Sequence, residues 1–147
     1  MSLFSTLAVS ASGMTAQRAR AELLVENIAN ADTTRTPEGG PYRRRDVVFQ
    51  SEQIGSPFSS FMPEEPLGGA SEGVAVSQIV VDGSDPEKRY MPGHPDADKD
   101  GYVAYPKVNP AEDMVDLLGA SRSYQANVSA IAATKDMIQR SIDLLKA

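Results

Sequence analysis

The sequence predicts an α+β chain. Long N- and C-terminal helices pair as a coiled-coil-like inner domain, and a small, irregular β-rich domain lies between them. Three observations predict it. Apolar residues recur at alternating steps of three and four through the last stretch of the chain. A sparser recurrence every seven residues runs through the first. Between them, residues 33–107 hold every proline but Pro110 and most of the glycines, with short runs of strand composition. The expected division is therefore 1–32, 33–107 and 108–147.

Residues 3–29 contain no proline, and their one glycine is Gly13. Leu7, Met14, Ala21 and Ile28 recur every seven residues, with Phe4, Ala11 and Val25 on one flank and Leu3 and Leu24 on the other. Arg18 interrupts the stripe once. This predicts an amphipathic helix roughly 40 Å long, rich in alanine and serine, whose small residues let another helix approach closely. Asn27 and Asn30 fall where it should end, and asparagine there caps the helix or takes the left-handed form. The other role open to them is a hydrogen bond to a neighbouring chain.

In the middle region, Tyr42–Gln50, Gly73–Asp82, Glu87–Met91 and Tyr102–Tyr105 read as strands. Asp82-Gly83 followed by Ser84-Asp85-Pro86 reads as a turn between two of them. Ser51–Glu72 has three prolines and three glycines and reads as a loop. So little aliphatic content makes a small, marginal β domain that needs support from its neighbours. The run Arg43-Arg44-Arg45 lies in a predicted strand, where successive side chains point to opposite faces. It therefore forms no single basic patch and reads as a solvated strand.

The C-terminal helix has a marked start. Asn109 can cap it, Pro110 suits the first helical position, and Glu112 stands where a capping-box carboxylate belongs. Asp113 and Lys146 complement the two ends of the helix dipole. From Met114 the seam runs through Leu117, Ser121, Tyr124, Val128, Ile131, Lys135, Ile138, Ile142 and Leu145. One of its rows (Leu117, Tyr124, Ile131, Ile138, Leu145) is apolar throughout, and the other includes Ser121 and Lys135. At roughly 55 Å, the helix is too long for an ordinary element of a compact domain of this size. Its seam needs a partner, either within the chain or in another copy.

Composition excludes several functions. The net charge is −6, and it is uneven: +2 over residues 1–45, −7 over 46–107 and −1 over 108–147. An acidic chain without a broad basic face is a poor match for nucleic acid. There is no cysteine, hence no disulfide, thiolate metal site or thiol catalysis. No apolar run approaches the roughly 18 residues that span a bilayer. No Lys or Arg precedes Arg18, and Ser2, Ser5, Thr6, Ser10, Ser12 and Thr15 break up the first apolar stretch, so a cleaved signal peptide is not expected.

Some segments imitate chemical sites. Asp96, Asp98, Asp100 and Gly101 follow the first half of a calcium loop, but the twelfth position is Lys107, and Pro95 and Pro106 stand where its helices should be. The expectation is a turn whose carboxylates cap backbone groups. His94-Pro95-Asp96 matches a chaperone J-domain tripeptide without that motif's flanking helices. His94 is the only histidine and has no second imidazole with which to share a metal. No pair of acidic residues stands out for glycoside cleavage. No catalytic residue, cofactor, metal or small-molecule substrate is expected.

The segments Ser10-Ala-Ser-Gly-Met-Thr-Ala16 and Asn27-Ile-Ala-Asn-Ala31, with Thr33 and Thr34, resemble the N-terminal signature of the bacterial flagellar rod and hook proteins. Five further stretches narrow the resemblance to a basal-body rod member over essentially the whole chain: Arg35-Thr-Pro-Glu-Gly-Gly-Pro-Tyr-Arg-Arg44, Pro92-Gly-His-Pro-Asp-Ala-Asp98, Gly101-Tyr-Val-Ala-Tyr-Pro106, Val108-Asn109-Pro110 and Ala120-Ser-Arg-Ser-Tyr-Gln-Ala-Asn-Val128. Ser123, Gln125 and Lys107 depart from the expected Ala, Glu and Asn. The resemblance implies a non-enzymatic subunit of a tubular drive shaft between rotor and hook, crossing the periplasm and cell wall. In such proteins the terminal helices line the axial core and the middle domain projects outward. Subunits pass unfolded through the flagellar type III export apparatus, without cleavage, and join copies of themselves and other rod proteins.

The candidate packing residues are Leu3, Phe4, Leu7, Met14, Leu24, Asn27, Ile28 and Asn30 in the first helix. In the second they are Met114, Leu117, Arg122, Tyr124, Asn127, Val128, Ile131, Ile138, Ile142 and Leu145. Two readings from other classes stand beside this one: a monomeric two-helix adaptor that binds through its β region, and a calcium-responsive module built on Asp96–Asp100.

Overall fold

The computed structural model describes residues 3–54 and 71–146. In chain order they form α1 (Leu3–Ala29), β1 (Arg45–Ile54), β2 (Ser71–Val81), β3 (Glu87–Tyr90), β4 (Tyr102–Tyr105) and α2 (Pro110–Lys146). β1 hydrogen-bonds to β2, and β3 to β4, as two separate two-stranded sheets. The fold class is α+β, as the sequence predicts.

α1 ends by capping. The backbone N–H of Asn30 and its side-chain Nδ2 both donate to the Glu26 carbonyl, at 3.1 and 2.9 Å, and the Thr33 hydroxyl donates to Asn30 Oδ1 at 3.2 Å. No described non-glycine residue has a positive φ, so the helix stops through this side chain and not through a left-handed residue. The chain then reverses at Thr36–Gly40. Gly39 and Gly40 sit at φ 90° and 79°, a region costly for any residue with a Cβ. Tyr42 N–H donates to the Thr33 carbonyl at 3.0 Å and closes the loop.

The expected strand at Tyr42–Gln50 starts three residues later and continues to Ile54. Its partner starts at Ser71, so the ends of the expected loop at Ser51–Glu72 are strand. The rest of that loop, residues 55–70, lies outside the described residues. The strands persist because Ile54 closes on Gly73. A Cβ on Gly73 would stand 2.7 Å from both Ile54 Cδ1 and Ser12 Oγ. Glycine is what lets helix, β1 and β2 meet there. Ser12 Oγ also accepts from the Val74 N–H at 3.1 Å, while its own hydroxyl donates to the Val9 carbonyl at 2.7 Å.

After β2, Asp82 forms the expected turn: its carboxylate accepts from the Ser84 N–H and hydroxyl, both at 2.8 Å. β3 and β4 pair antiparallel, Glu87 opposite Tyr105 and Tyr90 opposite Tyr102. The rings of Tyr90 and Tyr102 meet edge to face at 5.3 Å, and Val103 is buried. α2 starts as the sequence predicts, with Asn109 Oδ1 accepting from the Ala111 N–H at 3.2 Å.

The chain forms two compact units, each containing parts of both helices and strand segments. The first holds the described residues within 1–19, 49–77 and 120–147, and the second holds 20–48 and 78–119. In the first unit the described buried residues are small: Ser10, Ala16, Gly73, Ala120 and Thr134. The second unit buries Leu24, Asn27, Tyr42, Val103, Pro106 and Asp113.

Candidate assembly surface

In the second unit, the strand start ties the two helices. Each residue of an extended strand points its N–H and C=O to the same side, so one amide side chain can satisfy both. Asn27, fully buried on α1, does so. Its Nδ2 donates to the Arg45 carbonyl at 2.9 Å, and its Oδ1 accepts from the Arg45 N–H at 3.0 Å and from the Tyr42 hydroxyl at 2.8 Å. The amide stands in for a missing neighbouring strand. Tyr42 is held above its ordinary pKa, first by burial and then by the Glu26 carboxylate, with Arg45 pulling the other way.

The arginine run corrects the expectation of a solvated strand. The extended backbone at the start of β1 sends the neighbouring side chains of Arg44 and Arg45 to different helices. Arg45 Nη1 reaches Glu26 of α1 at 2.9 Å and stacks its guanidinium 5.9 Å from the Tyr42 ring centroid. Arg44 Nη2 reaches Asp113 Oδ1 of α2 at 2.9 Å and Asp46 at 3.6 Å. Only Arg43 of the three is exposed. The Asp113 carboxyl is pushed up, first by burial. Arg44 opposes that shift, and Asp46, Asp116 and Glu112 add to it. Asp113 Oδ2 and Arg44 Nε are buried without a hydrogen bond in the chain. Arg20 of α1 adds a partly exposed ion pair to Asp116 of α2 at 3.3 Å.

The helices expose one of the two rows of the C-terminal seam. Met114, Ser121, Val128, Lys135 and Ile142 are exposed, whereas Leu117, Ile131 and Ile138 are half-buried. Tyr124 and Leu145 of that second row are exposed. The most buried row of α2 is a third one, with the same seven-residue step: Asp113, Ala120 and Thr134, with Asn127 half-buried. Hydrophobicity alone misses this row because it is polar and small. On α1, Leu24 is buried, Leu7, Met14, Ile28 and Asn30 are half-buried, and Leu3 and Phe4 are exposed. The helices meet closely at Gly13, where a Cβ would lie 3.1 Å from Asn127 Nδ2. Asn127 Nδ2 in turn donates to the Ser123 carbonyl at 3.0 Å. Arg122 is exposed. Besides these, Val115, Leu118, Met137 and Leu144 leave large side chains in solvent.

The aspartate loop is occupied by its own backbone. Asp98 Oδ1 accepts from the N–H groups of Asp100 and Tyr102 at 3.0 and 2.8 Å. Asp96 accepts from the Thr34 hydroxyl at 2.8 Å and pairs with Arg35 at 3.7 Å. Among the described residues no three His, Cys, Asp or Glu side chains are grouped to hold a metal ion. No described helix is long and apolar enough to cross a membrane.

Known proteins are similar to this sequence over nearly its whole length. Residues 99–144 match the family model described as the flagellar basal body rod FlgEFG protein C-terminal. A flagellar basal-body rod protein FlgC from Bacillus subtilis is 45% identical, covering 99% of this chain and 100% of its own length. The protein of that name from Borreliella burgdorferi is 41% identical, covering 99% of each chain. One from Escherichia coli is 36% identical over 98% of each. The exposed seam row and the polar helix pairing are thus features of a chain that belongs to the FlgC family of flagellar basal-body rod proteins.

Proposed function

We propose that the chain is a structural subunit of the proximal flagellar rod, polymerising with copies of itself and with other rod proteins into the tubular shaft that carries torque from rotor to hook. The observation that carries this reading is the outward row of α2. Met114, Val128 and Ile142 keep seam spacing along a helix too long for its own core, and they face solvent in the single chain. Covering the exposed half of each such side chain against a neighbour is worth about 1 kcal/mol, so lateral association of helices is favourable. In the assembled shaft, residues 1–32 and 108–147 form the inner domain and residues 33–107 the outer one.

Transit through the type III export apparatus, without removal of a leader, fits a chain with no cysteine to cross-link and with a helix row that is covered only on docking. The shaft crosses the periplasm and cell wall, and the subunit has no catalytic, cofactor, small-molecule or nucleic-acid role. The relatives' full-length similarity favours this reading over a monomeric adaptor. The engagement of Asp98 with its own backbone removes the motive for a calcium module.

The test is substitution of outward residues. Val128→Asp and Ile142→Asp should leave the isolated chain's melting temperature unchanged and abolish swimming and recovery in basal bodies. Ile131→Asp, at a half-buried position, should lower both. Normal motility in Val128→Asp and Ile142→Asp would refute the packing role of this row.

A further inference from the structure

The start of β1 and the end of β2 frame a small cleft in the second unit, of about 100 Å³, lined by Arg43, Arg44, Asp82 and Lys107 with Pro41 and Pro86. Pockets for cofactors and other small ligands run to about 300–1,000 Å³, so this one has room for a single side chain. Its charge differs from its surroundings. Residues 46–107 carry −7, yet three cations line the cleft against one carboxylate. Arg44 is committed to Asp113 at 2.9 Å. Arg43 and Lys107 are exposed and have no ion pair among the described residues. Asp82 is held below its ordinary pKa by the Ser84 N–H and hydroxyl, with Lys107 and Arg44 adding to the effect. It is therefore ionised at neutral pH and repels a dianion such as phosphate more than a single carboxylate. Two unneutralised cations in a cleft of side-chain size fit a carboxylate side chain from outside the chain.

The opposite charge is found at the other end of the same strands. Glu52 stands near the end of β1 and Glu72 near the start of β2. Both are exposed and without an ion pair among the described residues. Cations at one end of a strand pair and carboxylates at the other, all unpaired in the single chain, complement each other between copies. We propose that the cleft is a carboxylate-binding site that receives Glu52 or Glu72 of a second copy of this chain, in a head-to-tail contact. Such a contact joins two different patches of the surface, so it repeats from copy to copy and either closes a ring or extends a helix. It deepens the rod reading above, on which it rests, by naming a contact outside the helix row. Exposed ion pairs are individually weak and are screened by salt. The contact therefore orients copies that other surfaces hold together and does not assemble them alone.

Cross-linking with a carbodiimide, which joins an ammonium to a touching carboxylate, tests this on the intact chain. An equal mixture of isotopically labelled and unlabelled chain is treated at high concentration and low salt, digested and read by mass spectrometry. Peptides joining Lys107 to Glu52 or Glu72 with one labelled and one unlabelled half are expected, because only links between copies carry mixed label. High salt should lower their yield, and Arg43→Glu should lower it about fivefold. Lys107 linked only within its own copy, linked to other carboxylates of the second copy, or not linked at all overturns the proposal. In cells, Arg43→Glu with Lys107→Glu should reduce swimming, and adding Glu52→Lys with Glu72→Lys to the same chain should restore it. Undiminished swimming in the first variant, or no restoration in the second, overturns it as well. Should melting curves show that the second variant fails to fold, the cross-link alone decides. A wild-type chain that fails to restore swimming to a rod-gene deletion overturns the rod reading, and the cross-link in solution then decides the contact by itself.

Discussion

Asn27 offers the sharpest single perturbation. Asn27→Ala removes an amide that serves three partners, leaving the Tyr42 hydroxyl, the Arg45 N–H and the Arg45 carbonyl without their bonds. A buried polar group left unsatisfied costs about 1–3 kcal/mol. Taking the lower end for each, because a small cavity also opens and admits some water, the loss is about 3 kcal/mol. Native stabilities of about 5–15 kcal/mol make that a large fraction. At about 3 °C per kcal/mol for a chain of this size, the melting temperature should fall by about 9 °C. Tyr42→Phe is the internal control. It removes one bond, and Asn27 Oδ1 keeps the Arg45 N–H at 3.0 Å, so the loss should be about 1 kcal/mol. Asn27→Asp is isosteric but turns an oxygen toward the Arg45 carbonyl and places a carboxylate in a fully buried site. It should be at least as damaging as alanine. Thermal and urea unfolding of the isolated chain, followed by circular dichroism, measure all three. An Asn27→Ala chain within about 0.5 kcal/mol of wild type, the usual range for a surface substitution, would refute the view that this amide holds β1 to α1.

Gly101→Ala should destabilise the β3–β4 hairpin by about 1–2 kcal/mol. The residue sits at φ 81°, and its Cβ would stand 2.9 Å from Tyr90 Cε2; loss of exchange protection at Met91 and Tyr102 reads the effect. Stability should respond to acid in two opposite ways. Burial raises the folded-state pKa of Asp113, so its contribution falls as pH rises from the ordinary 3.8 through the raised value, and Asp113→Asn removes that slope. The Ser84 N–H and hydroxyl depress Asp82, so its contribution is present above 3.8 and is lost as pH falls through the depressed value; Ser84→Ala should weaken that loss. Urea midpoints across the acid range, compared among the three chains, separate the two effects.

Both helices were legible in the sequence because their boundary signals are local. Asn30 and Asn109 act within a few residues of themselves, and seam spacing needs no knowledge of the partner. The Asp82 turn and the β3–β4 strands were legible for the same reason. The shift of β1 from Tyr42 to Arg45 was not, since Tyr42 is committed to Asn27, fifteen positions earlier. The arginine run was misread because its partners, Glu26 and Asp113, are remote in sequence. The buried row Asp113, Ala120, Asn127 and Thr134 escaped a hydrophobicity reading, though its seven-residue spacing was there to be found. What a periodic pattern leaves open is which of several parallel rows meets the chain's own partner, and here the smaller, more polar row does.

The arginine run also has a mechanical meaning. From α1 to α2, force can travel from Asn27 into the Arg45 backbone, across one peptide bond to Arg44, and out through its guanidinium to Asp113, over non-covalent links of 2.9, 3.0 and 2.9 Å. That route bypasses the more than eighty residues of covalent chain separating Asn27 from Asp113. A twist applied to the end of one helix therefore reaches the start of the other through two hydrogen bonds and one ion pair. In a rod assembled from such subunits, load can pass from one helix of a subunit to the other without crossing the chain between them.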